Sequence, residues 1–107
     1  MAGPEFRPPI DGLRVEAETR YTEMGFDAIF VSDEPGKVYA PHAHHEVFLF
    51  GLSGTSRIRV GNEQIEMTRG IEVHIGDGEE HEATVGEDGA EYLFAHPGDI
   101  DPFSYEP

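Results

Sequence analysis

Residues 41–46 read Pro-His-Ala-His-His-Glu, and they lead directly into the apolar stretch Val-Phe-Leu-Phe of residues 47–50. If the backbone is extended, His42, His44 and Glu46 share one face and His45 points the other way. The chain has no cysteine. Two imidazoles and a carboxylate without a thiolate suit iron, manganese, nickel or zinc. The segment therefore predicts one divalent metal ion at the start of an apolar strand.

A further histidine follows almost forty residues later, in the segment Gly-Asp-Gly-Glu-Glu-His of residues 76–81. The glycine turn can bring the imidazole of His81 back over the mouth of a barrel. We therefore predict His42, His44, Glu46 and His81 as metal ligands, with one or two positions of an octahedral ion left open to water or substrate. The alternative is a histidine patch that binds no metal.

Turn signals recur through most of the chain at intervals of about eight to twelve residues, which is typical of an all-β protein. Between them, residues 13–17, 56–60, 64–67 and 71–75 alternate apolar and polar side chains. No stretch of about eleven or more residues keeps a helical period, so a long helix is not expected. About nine short strands with nothing helical to cover a sheet predict a single-domain barrel or jelly roll. The turns are Pro35-Gly36, Gly61-Asn62, Arg69-Gly70, Gly76-Asp77-Gly78, Gly86-Glu87-Asp88-Gly89 and Pro97-Gly98.

Three segments are apolar at consecutive positions, residues 28–31, 47–50 and 92–95. Strands of this kind are covered on both faces. A second sheet or a partner subunit would provide that cover.

The spacing of glycines and histidines resembles the first motif of the cupin superfamily. Gly36 is followed by five residues, then His42 and His44, then Glu46 and later Gly54. Only His45 separates His44 from Glu46, where the family has three or four residues, so the third ligand of this strand is either Glu46 or His45.

The second cupin motif resembles Gly70, five residues, Gly76-Asp77-Gly78, two residues and His81, with Gly76 where the family has Pro and Val85 where it has Asn. The two motifs together cover residues 36–85. The resemblance implies an all-β cupin-type jelly-roll barrel, with the metal inside its mouth on His42, His44 and His81. Homodimers are common in the family, so it also implies a homodimer.

The composition limits the classes of partner. The 107 residues suit one domain, with an N-terminal arm at 1–12 and the barrel domain at 13–107. The net charge of -15 repels nucleic acid and anionic lipid. We found no apolar membrane span and no secretory signal, so we expect a cytoplasmic protein. The scattered acidic residues form either a solvated shell suited to high salt or an interaction face.

Some further residues can shape the site. His74 is expected to point outward, and His96 is either a strand-end residue or a contact for substrate. Glu79 and Glu80 are either solvated or a general base. Phe48, Phe50 and Tyr92 belong either to the core or to the wall of a pocket.

The sequence leaves two main functions open. The first is a metalloenzyme that binds a small oxygen-bearing substrate, an oxygenase with iron or an isomerase, cyclase or lyase with zinc or manganese. The second is a barrel that binds or senses a metal and a small ligand without turnover. A structural barrel that has lost its metal is a third reading, and His42, His44 and His81 argue against it. The fold alone cannot choose between the first two.

Overall fold

The computed structural model describes residues 10–104, with side chains from residue 12 onward. One helix precedes six strands, which belong to one antiparallel sheet system. The elements are α1 (Ile10–Glu23), β1 (Phe26–Asp33), β2 (Val38–His42), β3 (Val47–Val60), β4 (Glu63–Met67), β5 (Glu72–Ile75), β6 (His81–Pro97) and a 3-10 helix (Pro102–Ser104).

Two long strands, β3 and β6, pair with each other along most of their length. Each of the other four strands pairs with one of them. The first half of β3 and the second half of β6 form one sheet, with β5 and β1 at its sides. The second half of β3 and the first half of β6 form the other sheet, with β4 and β2 at its sides. The result is the all-β jelly-roll barrel that the motifs predict. Several of the predicted short strands are continuous in β3 and β6.

The two halves of each long strand meet at irregular pairing, where the register of β3 with β6 shifts around Gly54. Gly54 has a φ of 69°, and Gly89 on β6 has a φ of 77°. A Cβ atom at Gly54 would overlap the carbonyl group of Gly89. Glycine therefore permits both the left-handed backbone and the close approach of the two strands at the bend.

Adjacent residues of β3 face two different hydrophobic cores. Val47 and Leu49 point into the barrel, where they pack with residues of both sheets such as Ile58 and Val73. Phe48 and Phe50 point outward into a second core under α1. The consecutive apolar residues of this strand are therefore covered on one face by the barrel interior and on the other by a helix.

Helix α1 corrects two expectations. The sequence predicted a strand at residues 13–17 and no long helix. Both predictions are wrong, because these residues belong to α1, which spans 14 residues. Leu13, Ala17 and Tyr21 pack on the outer core at a spacing of four residues, whereas Val15 is exposed. The apolar residues at 13 and 17 fit both periods, whereas the one at 15 fits only the strand, and burial selects the helical period. None of the helices in residues 10–104 has the length and hydropathy of a membrane span. The predicted arm at 1–12 lies mostly outside the described residues.

Tyr21 is the main anchor of α1. Its side chain is fully buried, its ring stacks on Phe48 with centroids 5.8 Å apart, and its hydroxyl group donates to Glu72 Oε1 at 3.0 Å. Burial raises the pKa of Tyr21 to about 12, so the phenol stays protonated at neutral pH.

We predict that Tyr21→Ala lowers the free energy of unfolding by about 3–5 kcal/mol, because it empties a buried aromatic site. The exposed neighbour Thr22 provides the control, since Thr22→Ala should change stability by less than about 0.5 kcal/mol. Urea unfolding followed by circular dichroism measures both. Equal losses in the two variants would show that α1 does not depend on its contact with the sheet.

Candidate metal centre

Three histidines meet where β2 and β6 pair at the mouth of the barrel. His42 is the last residue of β2 and lies opposite His81, the first residue of β6. His44 follows in the connection to β3. The ring centroids of His42 and His81 are 4.2 Å apart, and those of His44 and His81 are 4.5 Å apart. One potential ligand atom from each of the three lies within 4.8 Å of the others.

Backbone carbonyl groups orient each ring of this cluster. The Nδ1 atoms of His42, His44 and His81 lie 2.6, 2.7 and 2.9 Å from the carbonyl oxygens of residues 40, 45 and 79. A carbonyl oxygen only accepts, so each Nδ1 must carry the proton and donate it. The lone pair of each ring then lies on Nε2. All three imidazoles are thus in the tautomer that binds a metal through Nε2.

Burial favours the neutral form of two of these rings. His44 is 3% exposed and His81 is 5% exposed. Desolvation lowers the pKa of both imidazoles below the ordinary histidine value. His42 is exposed, so the cluster can be reached from solvent. Neutral, oriented imidazoles around a solvent-accessible point fit a divalent metal ion.

The cluster opens into a cavity of about 260 Å³ inside the barrel. Besides the three histidines, the polar side chains on its wall belong to Tyr39, Ser56 and Tyr92, and none of its described lining residues is Asp, Glu, Lys or Arg. The rest of the wall is apolar. Tyr92 therefore belongs to the pocket, whereas Phe48 and Phe50 belong to the outer core. The apolar lining residues are Ile29, Val31, Leu49, Ile58, Met67, Ile75, Ala83, Phe94 and Phe103.

The structure does not bring Glu46 into the histidine cluster. Its Oε2 lies 2.7 Å from Nε2 of His74, whose exposed ring stacks on Phe48 at the outer surface. The prediction that Glu46 shares a face with His42 and His44 assumed an extended chain. Residues 43–46 are not part of a strand, so strand alternation does not apply to them. His45 is also outside the cluster, and its Nδ1 lies 2.8 Å from Asp77 Oδ1.

Of the two glutamates before His81, Glu79 stabilises the turn. Glu79 Oε1 accepts a hydrogen bond of 2.8 Å from the backbone N–H of Gly76, and the Glu79 carbonyl orients His81. The side chains of Glu79 and Glu80 are exposed and do not line the cavity. His96 lies near the carbonyl oxygens of Pro97 and Ile100 and is also absent from the wall.

Phe103, in the 3-10 helix, is a wall residue that the sequence analysis did not identify. Its ring stacks on Phe94 with an interplanar angle of 17° and meets His44 edge-on with centroids 5.8 Å apart. The backbone N–H of His45 donates to the carbonyl of Pro102 at 3.0 Å, which ties this segment to the histidine loop. Phe103 is nevertheless 71% exposed. No periodicity or spacing in the sequence indicates this contact.

Solved structures with the same chain path include a cupin-2 domain protein from Shewanella frigidimarina, with a TM-score of 0.58 and 19% identity over 68% of this chain and 71% of that chain. The chain has the cupin fold. The chain is also similar to KdgF from Halomonas sp., with a TM-score of 0.61 and 19% identity over 66% of each chain.

A third similar structure is the DMSP lyase DddQ from Ruegeria pomeroyi, with a TM-score of 0.65 and 23% identity over 72% of this chain and 40% of that chain. The match therefore covers less than two thirds of the KdgF and DddQ chains. No protein-family model and no curated protein matches this chain.

We predict that the tag-free protein binds about one divalent metal ion per chain and that His42→Ala loses it, because three imidazoles are the expected ligand set. His74→Ala is the matched control, since His74 is another exposed strand histidine. Glu46→Gln should also keep the metal. Elemental analysis of dialysed samples measures all four proteins. Metal loss in Glu46→Gln, with His42→Ala unaffected, would contradict this ligand set.

We predict that Phe103→Ala speeds removal of the metal by EDTA, because the Phe103 ring covers the edge of His44 at the mouth. The loss of its stacking on Phe94 should lower stability by only about 0.5–1.5 kcal/mol, so the variant stays folded. Ile100→Ala, in the same C-terminal segment but outside the cavity wall, is the control. Equal release rates in wild type and Phe103→Ala would show that Phe103 does not limit access.

Proposed function

We propose that this cupin is a metal-dependent enzyme that acts on a small oxygen-bearing substrate. His42, His44 and His81 hold one divalent ion through Nε2, and the substrate occupies the adjoining cavity. The observation that carries the proposal is the combination of three oriented imidazoles with a largely apolar cavity beside them. Sites with three protein ligands and an open position are characteristic of catalysis, whereas closed four-ligand sites are structural.

The bound metal supplies Lewis acidity toward an oxygen atom of the substrate. The residues of the chain provide the environment for that chemistry. The carbonyl oxygens of residues 40, 45 and 79 hold the three rings in place, so the ligand geometry exists before substrate arrives. The apolar wall formed by residues such as Ile58, Ile75 and Phe94 excludes water and strengthens polar interactions inside the cavity.

The cavity limits the class of substrate. A volume of about 260 Å³ suits a small molecule. Because the described wall carries no lysine or arginine, an anionic substrate could be neutralised only at the metal. The reaction class depends on the ion: an oxygenase with iron, or an isomerase, cyclase or lyase with zinc or manganese. The similarity to a DMSP lyase supports inclusion of the lyase class in the first assays.

The proposal is tested by loading the protein separately with Fe²⁺, Mn²⁺, Ni²⁺ and Zn²⁺ and screening small oxygenated compounds by oxygen uptake and by proton NMR. We expect turnover with at least one ion, complete loss in His42→Ala and retention in His74→Ala. Water-proton relaxation of the Mn²⁺ form should show rapidly exchanging water on the ion. Bound metal without exchangeable water or turnover would instead support a barrel that binds or senses a ligand.

A further inference from the structure

A buried carboxylate holds two tyrosine hydroxyl groups beside the cavity. The side chain of Asp33, at the end of β1, is 3% exposed. The hydroxyl of Tyr39 on β2 lies 2.9 Å from each Asp33 oxygen, and the hydroxyl of Tyr92 on β6 lies 2.8 Å from Oδ2. Lys37 Nζ approaches Oδ1 at 3.5 Å. The cluster thus joins three strands that surround the cavity.

The hydrogen atoms of both phenols are committed to this carboxylate. An ionised carboxylate only accepts hydrogen bonds, so Tyr39 and Tyr92 must donate to Asp33. Burial raises the pKa of Tyr92, which keeps its hydroxyl group protonated. Each phenol oxygen retains lone pairs. The two tyrosines can therefore accept a further hydrogen bond but have no hydrogen left to donate.

The two tyrosines line the same cavity as the histidine cluster, and Asp33 does not. A ligand in the cavity thus meets the tyrosines with the negative charge of Asp33 behind them. Hydrogen-bond acceptors on the ligand, and carboxylates above all, find no free hydrogen on the two phenols. Lys37, the cation beside Tyr39, is paired with Asp33 and does not line the cavity. A hydroxyl group, by contrast, donates a hydrogen that the phenol oxygens can accept.

We propose that Tyr39 and Tyr92, oriented by Asp33, form a subsite that selects a neutral hydroxyl group on the ligand. This inference rests on the proposed function and deepens it, since it gives the substrate of the same cavity an alcohol group in addition to the oxygen atom that the metal would polarise. Tyr39 and Tyr92 are specificity residues in this scheme, and Asp33 is a positioning residue.

A purely structural network would give a different result. If the cluster only ties β1, β2 and β6 together, removal of the phenol oxygens lowers stability and leaves ligand selectivity unchanged. Selectivity between a donor and an acceptor probe therefore separates the two roles.

The test uses the metal-free protein at pH 8, so it does not depend on the metal site. NMR titrations compare cyclohexanol, which donates a hydrogen bond, with cyclohexanone, which has nearly the same shape and only accepts. We expect wild type to prefer cyclohexanol by about 2- to 12-fold, the value of one hydrogen bond. Tyr39→Phe combined with Tyr92→Phe should bring the ratio of cyclohexanol affinity to cyclohexanone affinity to about 1. Asp33→Asn should also lower it by strengthening cyclohexanone binding, because an amide lets one phenol hydrogen turn to the ligand.

Tyr21→Phe is the matched control. Tyr21 is also buried and also donates to a carboxylate, that of Glu72, but it lies outside the cavity. Removal of the Tyr21 hydroxyl group should leave the ratio of the two affinities unchanged. If the double variant does not fold, the same affinity ratio is measured in the two single variants, because each keeps one phenol hydrogen-bonded to Asp33.

Equal affinities in wild type, no binding of either probe, or a preference that survives the loss of both phenols would overturn the subsite. In the last case the hydroxyl group binds elsewhere, for example at Nε2 of a histidine. A selective cavity in a protein that shows no turnover would refute the enzyme proposal and leave the subsite in place.

Discussion

The pairing of β3 with β6 is the constraint on which the rest of the barrel depends. These strands pair from Phe48 with Ala95 to Val60 with His81, and each of the other four strands pairs with one of them. Formation of this ladder places the start of β6 beside the end of β2. It thereby brings together histidines that are almost forty residues apart in sequence. The histidine cluster is a consequence of long-range strand pairing, and the local sequence only provides its members.

The sequence predicted the parts of the site that obey simple geometric rules. The pair His42 and His44, with the glycine turn before His81, identified all three members of the cluster. The assignment of Glu46 rested on strand alternation, which fails because the chain leaves extended conformation after His42. A short connection between strands has no periodicity from which side-chain direction can be inferred. The partner of Glu46, His74, is 28 residues away on another strand.

Features that depend on distant partners could not be read from local patterns. Helix α1 was missed because Leu13, Val15 and Ala17 fit a strand, and the decisive contact is that of Tyr21 with the outer face of the sheet. Similarly, the carboxylate that fixes the Tyr92 hydroxyl lies 59 residues away. In both cases the local sequence is compatible with two structures, and the tertiary contact selects one of them.

The alternation of β3 between two cores has an evolutionary consequence. Because Leu49 faces the cavity and its neighbours Phe48 and Phe50 face the helix, substitutions at adjacent positions act on different properties. An outward substitution can change how the helix is held without altering the cavity wall, whereas an inward one changes the wall and the inner core together, because Leu49 belongs to both. A change of cavity shape made from this strand therefore has to conserve side-chain volume or draw on a reserve of stability elsewhere in the fold.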